Sequence, residues 1–331
     1  MKLSVVIPSR EGHARLPETV RALGEAPAPD GGAEIIVVDD ASRTPIDGNA
    51  LTGASPHPLR VLRLDRNRGR AGACNAGIEA ALGEFVLILD DDMSIDAQAL
   101  RGHVAAHHGM ETGSARGVLG QIVPDLASYR GRYARFLVAE ERERHRRLAQ
   151  ARTRLRLTDF STAFFSAPRE LLARIGGFDE AFSRYGFEDL ELGARLLAAG
   201  VRLIYRQELT ALHRSVHAGF ALACRRHLES GEMAVVFAER HRDPGIAAHL
   251  RVTGMSPREE RTRFRRLLAA AHQLTRRTPA PLRPLPLLMA RMLVRLGELL
   301  LPDRPLHVLY HVVRDMHYAA GIEQELEVRR R

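Results

Sequence analysis

The sequence predicts an α/β protein, with a mostly parallel central sheet followed by a helical carboxyl-terminal region. Three observations carry this. Runs of consecutive apolar residues at 5–7, 35–38 and 85–89 have the length and branched content of strands buried on both faces. Helical patterns at 18–23 and 71–82 alternate with those runs, as in right-handed crossover units. Beyond residue 217 only helix-length patterns remain, so the expected division is a sheet domain over 1–217 and a helical region over 218–331.

Composition narrows the partners. A chain of 331 residues with 45% hydrophobic content can bury a real core. The net charge of +9 is almost wholly arginine, because Lys2 is the only lysine. Such a balance suits nucleotide phosphates, an anionic membrane surface or nucleic acid. Nucleic acid ranks last, since there is no Trp, 5% aromatic content and no nucleic-acid-binding motif. Cys74 and Cys224 are too few for a disulfide framework or a cysteine zinc site. No window offers the roughly 20 apolar residues of a membrane span. The first strand starts at Leu3 and leaves no room for a secretory signal, so a soluble cytoplasmic protein is expected.

The first strand is β-branched and stopped by Pro8. A helix at 18–23 and a Pro/Gly-rich loop at 26–32 lead to the second strand, 34–38, which ends in Asp39-Asp40. A third strand, 59–64, is followed by the turn Arg68-Gly69-Arg70 and the helix 71–82. The fourth, 84–89, runs straight into Asp90-Asp91-Asp92. Residues 95–108 read as helix and 117–123 as strand. The stretch 134–157 alternates acids with many arginines, as a solvated helix face or a mobile lid does. Residues 160–168 mix small and aromatic side chains, which suits backbone packed on a ligand or core. Glu188, Asp189 and Glu191 open a helix whose Leu192, Leu196 and Leu197 face inward, and 201–205 is a last strand before His213. Residues 221–240, 257–275, 286–301 and 305–320 are helices, with 279–284 a stiff proline-rich linker.

The acids point to chemistry. Asp90, Asp91 and Asp92 follow a buried strand directly, at the sheet edge where open α/β sheets bind ligands. Three neighbouring carboxylates repel unless a cation or hydrogen-bond donors gather around them. Mg²⁺ is usually held by one or two carboxylates plus substrate phosphates, so a metal–phosphate site is indicated. A solvated turn is the plainer alternative. Asp39 and Asp40 either accept hydrogen bonds from a nucleotide base or ribose, or cap a turn. The turn Arg68-Gly69-Arg70, entering a helix, offers N–H groups and guanidinium to a diphosphate. Glu188 and Asp189 sit on a rigid platform for a general base, though acids in a first turn also complement the helix dipole. His213 and His217 are candidate metal ligands.

In this order, Ser4-Val5-Val6-Ile7-Pro8-Ser9, Val37-Val38-Asp39-Asp40-Ala41-Ser42, Asn67-Arg68-Gly69, Asn75-Ala76-Gly77 and Leu89-Asp90-Asp91-Asp92 resemble family 2 glycosyltransferases of the GT-A fold. Gly177-Phe178-Asp179-Glu180 and Gly186-Phe187-Glu188-Asp189-Leu190-Glu191-Leu192 extend the likeness, and are similar to segments of chondroitin polymerase and galactosyltransferase-like domains. The resemblance covers roughly residues 2–217. It departs at Ser9-Arg10-Glu11, where the family usually has Thr-Tyr-Asn, and at Cys74, where an arginine is common.

The resemblance implies an inverting transferase that moves a sugar from a nucleotide sugar, a UDP-sugar above all, to a hydroxyl of a glycan, lipid-linked or other acceptor. Pro8, Ser9, Glu11, Asp39, Asp40, Arg68, Arg70 and Asn75, with Asp90 and Asp91, become the donor contacts. Asp90 and Asp92 form an Asp-x-Asp motif for Mn²⁺ or Mg²⁺, with His213 or His217 completing the metal site. Asp189 becomes the catalytic base, with Glu188 beside it. Two other readings are a sugar-nucleotide nucleotidyltransferase, which would want a glycine- and lysine-rich loop after the first strand, and a non-catalytic nucleotide-sugar-binding subunit. The apolar face at 287–301, interspersed with Arg291 and Arg295, either packs on the chain or a second subunit, or docks on an anionic membrane.

Overall fold

Adjacent residues of the apolar runs divide between two cores. Leu3, Val5 and Ile7 enter one, with Ile35, Val37, Leu87 and Leu89, while Val6, Ile36, Val38, Val86 and Ile88 enter the other. This alternation is the period of a strand, and every one of these side chains is fully buried. Each such Val, Leu or Ile contributes about 1.5–3 kcal/mol relative to exposure. The computed structural model describes all residues except 109–115, 151–154, 156, 215–218, 243 and 253–261, together with the side chains at 150 and 244. Two compact units emerge: Met1–Tyr129, Val138–Ser183 and Glu188–Val216 in the first, Arg130–Leu137, Arg184–Phe187 and His217–Arg331 in the second.

The first unit carries one sheet of eight strands: β1 (Leu3–Ser9), β2 (Ala33–Asp39), β3 (Leu59–Arg63), β4 (Phe85–Leu89), β5 (Met93–Ile95), β6 (Arg116–Pro124), β7 (Phe164–Pro168) and β8 (Arg202–His213). Their order is β3-β2-β1-β4-β7-β6-β8-β5. The first four are parallel, as are β6 and β8, whereas β7 and β5 run against their neighbours. The expected mostly parallel α/β sheet is what forms.

Helices cover both faces. On one side lie α1 (Leu16–Glu25), which buries Leu16, Val20 and Leu23, and α4 (Ala99–His108), which buries Leu100 and Val104. On the other lie α3 (Gly69–Ala80), α6 (Arg169–Arg174) and α7 (Glu188–Ala198), burying Cys74, Ile78, Leu171, Leu172, Leu192 and Leu196. A five-residue helix, α2 (Gly48–Thr52), is started by Asp47, whose side chain accepts from the Asn49 N–H.

Several expectations shift. Leu197, expected to face inward from α7, is exposed. The expected linker 279–284 is a 3-10 turn leading into a helix that begins at Pro284. The helix expected over 95–108 begins only at Ala99, because Met93–Ile95 pairs antiparallel with β8. The strand expected at 201–205 runs on to His213 through half-buried Arg206 and exposed Gln207 and Glu208, with a register shift opposite Gly120/Gln121. Polar residues on a strand that is solvated on one face hide its length. Of the expected lid-like stretch, α5 (Arg132–Gln150) is helical, and part of 151–157 lies outside the described residues.

In the second unit, α8 (Phe220–His241), α9 (Pro244–His249), α10 (Arg263–Arg277), α11 (Pro284–Leu300) and α12 (Asp303–Arg330) are helical. Its core gathers Tyr133 and Phe136 with Cys224, Val294, Leu306, Tyr310 and Met316. Helices α8 and α12 meet through two glycines. A Cβ at Gly231 would stand 2.0 Å from the Tyr318 carbonyl, and one at Gly321 would stand 1.9 Å from that of Leu228.

Candidate active site at the carboxyl ends of the strands

Sheet register assembles the site. β1, β2 and β4 point the same way, so Ser9, Asp39-Asp40 and Asp90-Asp91-Asp92 share one edge. β7 enters from that edge, pairing Phe164 with Leu89, which brings Ser161 and Thr162 beside Asp90. β8 leaves at it, pairing His213 with Met93, which sets the imidazole next to Asp92. At Gly69 (φ +70°), where a Cβ would stand 2.8 Å from the Ser183 carbonyl, the chain turns into α3 and places Arg70 in its first turn.

Arg70 is the hub. Its Nε and Nη2 donate to Asp90 Oδ1 at 3.2 and 2.8 Å, and its Nη1 donates to Asp189 Oδ1 at 2.9 Å and Thr162 Oγ1 at 2.7 Å. Glu188 Oε1 lies 3.9 Å from the same Nη1. The Thr162 hydroxyl donates to Asp189 Oδ1, and Ser161 reaches Oδ2 at 3.4 Å. Burial opposes the Arg70 charge, but Asp90 and Asp189 outweigh it and hold the guanidinium firmly protonated. Asp90 is pushed above the usual carboxylate range by loss of water and by Asp92, with Arg70 pulling the other way. Burial, then the neighbouring Asp189, lifts Glu188 to about 7, and its Oε2 has no hydrogen-bond partner.

Asp92 and His213 form a second cluster, with Oδ2 and Nε2 3.3 Å apart. Tyr129 Oη lies 2.7 Å from His213 Nδ1, which fixes the ring and leaves Nε2 facing the carboxylate. Burial raises the Asp92 pKa, but the His213 hydrogen bond and charge prevail and lower it; the Asp92 contact likewise raises His213 against burial. No cluster of three or more His, Cys, Asp or Glu able to hold a metal occurs among the described residues. A carboxylate and an oriented imidazole nevertheless match the donor set of a divalent ion that takes its remaining ligands from phosphate and water. His217 lies outside the described residues.

The acids differ in what can reach them. Side chains of Asp90 (33% exposed), Asp92 (22%), Asp189 (22%) and His213 (33%) are open, whereas Asp39 (0%), Asp91 (11%) and Glu188 (9%) are nearly closed. Asp91 is gripped by Arg15 Nε and Nη2 at 2.9 and 2.8 Å, and by the Ser9 hydroxyl at 2.5 Å. Asp39 accepts from the Ser42 and Ile46 N–H groups at 2.8 and 3.2 Å and from Arg63, so it braces the loop after β2. Asp40 accepts the Arg68 N–H at 2.7 Å, while burial raises its pKa. The Arg68 side chain pairs with Glu180.

Glu11, at φ +53°, accepts the Arg43 N–H at 2.8 Å, and Pro8 stays half-buried in β1. Asn75 is wholly engaged on the 178–180 turn, accepting the Phe178 N–H at 2.7 Å and donating to the Phe178 carbonyl and Glu180. Of the expected donor contacts, then, all but Pro8 have side chains bonded within the protein. Arg15, Thr162 and Tyr129 escape a reading of the sequence, because nothing local marks an arginine 76 residues from its acid. The small polar Ser161-Thr162 after Phe160 was the one available signal.

Residues 4–176, more than half of the chain, match the profile of glycosyl transferase family 2, and residues 142–218 match the N-terminal domain of galactosyltransferase. The uncharacterized glycosyltransferase YfnE of Bacillus subtilis is 25% identical over 260 residues, covering 65% of each chain. The succinoglycan biosynthesis protein ExoO of Rhizobium meliloti is 46% identical over 86 residues, 25% of this chain and 24% of that one. The validoxylamine A glucosyltransferase of Streptomyces hygroscopicus subsp. limoneus is 28% identical over 248 residues, 65% of this chain and 52% of that one. The chain thus spans less than two thirds of the length of these relatives. Among solved structures, a mannosyltransferase from Pyrobaculum calidifontis, in complex with GDP-Man and Mn²⁺, superposes with a TM-score of 0.62 at 21% identity, over 98% of this chain and 87% of that one. Sheet topology and profile agree: the chain belongs to glycosyl transferase family 2.

Proposed function

We propose that the protein is an inverting, divalent-metal-dependent glycosyltransferase. It takes a sugar from a nucleoside diphosphate sugar, a UDP-sugar first, and gives it to a hydroxyl of a glycan, a lipid-linked sugar or another acceptor in the cytoplasm. One observation carries the reading: the open acids Asp90 and Asp189 sit on one guanidinium, that of Arg70, at the sheet edge that also holds Asp92 and His213.

In this reading Asp92 and His213, with Asp90, would hold the metal. When bound, such an ion offsets the charge that grows on the leaving diphosphate. Arg70 lies where the donor's phosphates or sugar would come, and its fixed positive charge needs no reorganisation during the reaction. An acceptor hydroxyl is a poor nucleophile, so Asp189 takes its proton as attack proceeds from the face opposite the diphosphate. Thr162 and Ser161 aim that carboxylate. Glu188, closed and pushed to about 7, sits behind it and sets the local charge. Asp40 and the Arg68 turn form the nucleoside side, with Asp39 and Asn75 as their internal supports, while Asp91 ties the end of β1 to Arg15.

The test is a thermal-shift panel of UDP- and GDP-sugars with Mn²⁺ or Mg²⁺, since bound ligand raises apparent stability by mass action. Transfer or donor hydrolysis is then followed for the wild type and Asp189→Asn. The variant should keep the donor shift and lose turnover. Turnover at the wild-type rate removes Asp189 from the role, and no shift with any nucleotide sugar removes the donor class.

A further inference from the structure

One face of α11 is bare. Leu285, Leu288, Met289, Met292, Leu296 and Leu299 are between 51% and 82% exposed, and Leu293 and Leu300 lie in the same arc. Their spacing of three and four residues puts them on a single stripe about 22 Å long. The opposite stripe, Ala290, Val294 and Gly297, is buried against α12 in the core of this unit. The exposed face is therefore not a misplaced core: the helix already has one. Isolated exposed leucines are ordinary, but a contiguous apolar patch of this length marks a contact surface.

Charge identifies what covers it. Between residues 262 and 301 the chain has eight arginines and one acid, Glu298. That acid is withdrawn, accepting a hydrogen bond from the Tyr310 hydroxyl. Arg295 borders the stripe on α11 itself and is exposed; Arg263, Arg265, Arg266 and Arg277, on α10 of the same unit, are exposed too. A second copy seated face to face would set arginine against arginine around an apolar stripe that carries no polar group. A bilayer with anionic headgroups satisfies both features at once, taking the leucines and methionines among its acyl chains and the guanidinium groups at its phosphates. No helix among the described residues is long and apolar enough to cross a membrane, so α11 would lie along the surface.

We infer that the α11 stripe, with its arginine border, is a docking surface for an anionic lipid bilayer. The inference stands apart from the sugar-transfer reading and does not need it. Vesicle flotation of the full chain tests it, with phosphatidylcholine alone and with phosphatidylcholine mixed with phosphatidylglycerol. The protein should float with the anionic vesicles, float less with the neutral ones, and be released as salt rises. Leu288→Glu, Met292→Glu and Leu296→Glu combined should cut the floating fraction by about ten-fold or more while the melting temperature holds, because these side chains support nothing inside the fold.

A second readout covers the case in which that variant fails to fold. Both native cysteines are buried, so Met289→Cys takes an environment-sensitive dye at one place. Its emission should shift to the blue on adding anionic vesicles. Failure to float with anionic vesicles, flotation of the triple variant at the wild-type level, or an unmoved dye overturns the inference. A dimer that the triple substitution dissociates, without flotation of the wild type, gives the face to a second copy instead.

Discussion

Arg70 Nη1 donates to Asp189 Oδ1 at 2.9 Å while Nη2 of the same guanidinium donates to Asp90 Oδ1 at 2.8 Å. One planar cation thus fixes the spacing between the acid assigned to the donor and the acid assigned to the acceptor. A lysine keeps the charge but cannot span two carboxylates in a fixed fork. Arg70→Lys is therefore expected to lower kcat by about a hundred-fold through misplacement alone. Steady-state kinetics checks this, and a wild-type kcat in the variant would show that the bridge is dispensable.

Arg15 and Asp91 form a closed pair, with side chains 15% and 11% exposed. Removing one partner of such a pair leaves an uncompensated charge, at a cost of about 3 kcal/mol or more. Arg15→Ala should lose that much in urea denaturation and yet bind nucleotide sugar with nearly the wild-type Kd once folded.

Tyr129 Oη touches Nδ1 of His213, on the ring edge away from Asp92. Loss of such an orienting partner typically costs about ten-fold or more in metal affinity. Titration of Mn²⁺ in the presence of UDP should show that deficit for Tyr129→Phe and a larger one for His213→Ala. Equal affinity in all three proteins would take His213 out of the metal site.

His103 Nδ1 and His107 Nε2 share the Ser166 hydroxyl, at 2.8 and 2.9 Å, beneath the sheet. Burial pushes both imidazoles down to about 3, well under their ordinary value of 6.5. The unfolded chain therefore binds more protons than the native one in that interval, so stability rises with pH there. Their contribution is complete above about pH 6.5 and is lost as pH falls toward 3. His107→Gln, which keeps an amide donor and cannot titrate, should lose less melting temperature than the wild type between pH 7 and pH 5 (both approximate settings within that window).

Gly231→Ala sets two effects against each other. Alanine gains about 1 kcal/mol of helix propensity over glycine. Its Cβ, however, would meet the Tyr318 carbonyl at 2.0 Å, and a backbone atom cannot turn aside. Overpacking of this kind costs about 1–3 kcal/mol, and at such a distance the upper end applies, so a net fall in Tm is expected. A rise would mean that α8 and α12 part freely.

The strands were legible because burial on both faces forces unbroken apolar runs, as at Ile35 to Val38 and Phe85 to Leu89. β5 was not, since three residues held by a partner more than a hundred positions away carry no periodicity of their own. The residue types of the site were equally plain in Asp90-Asp91-Asp92 and Glu188-Asp189. What the sequence could not sort was which carboxylates stay open. Asp91 is closed by Arg15, just before α1, and Asp90 is turned toward Arg70 of α3. Those are long-range pairings, set by the packing of helices on the sheet.

The division between open and closed acids changes what a loss of function means here. An alanine scan scored by activity alone would mark Asp39, Asp91 and Asp189 with the same zero, the first two by collapsing loops and the last by removing chemistry. Scored by melting temperature as well, the acids should part into two groups. Only the group that inactivates without softening the fold belongs on a map of the reaction centre.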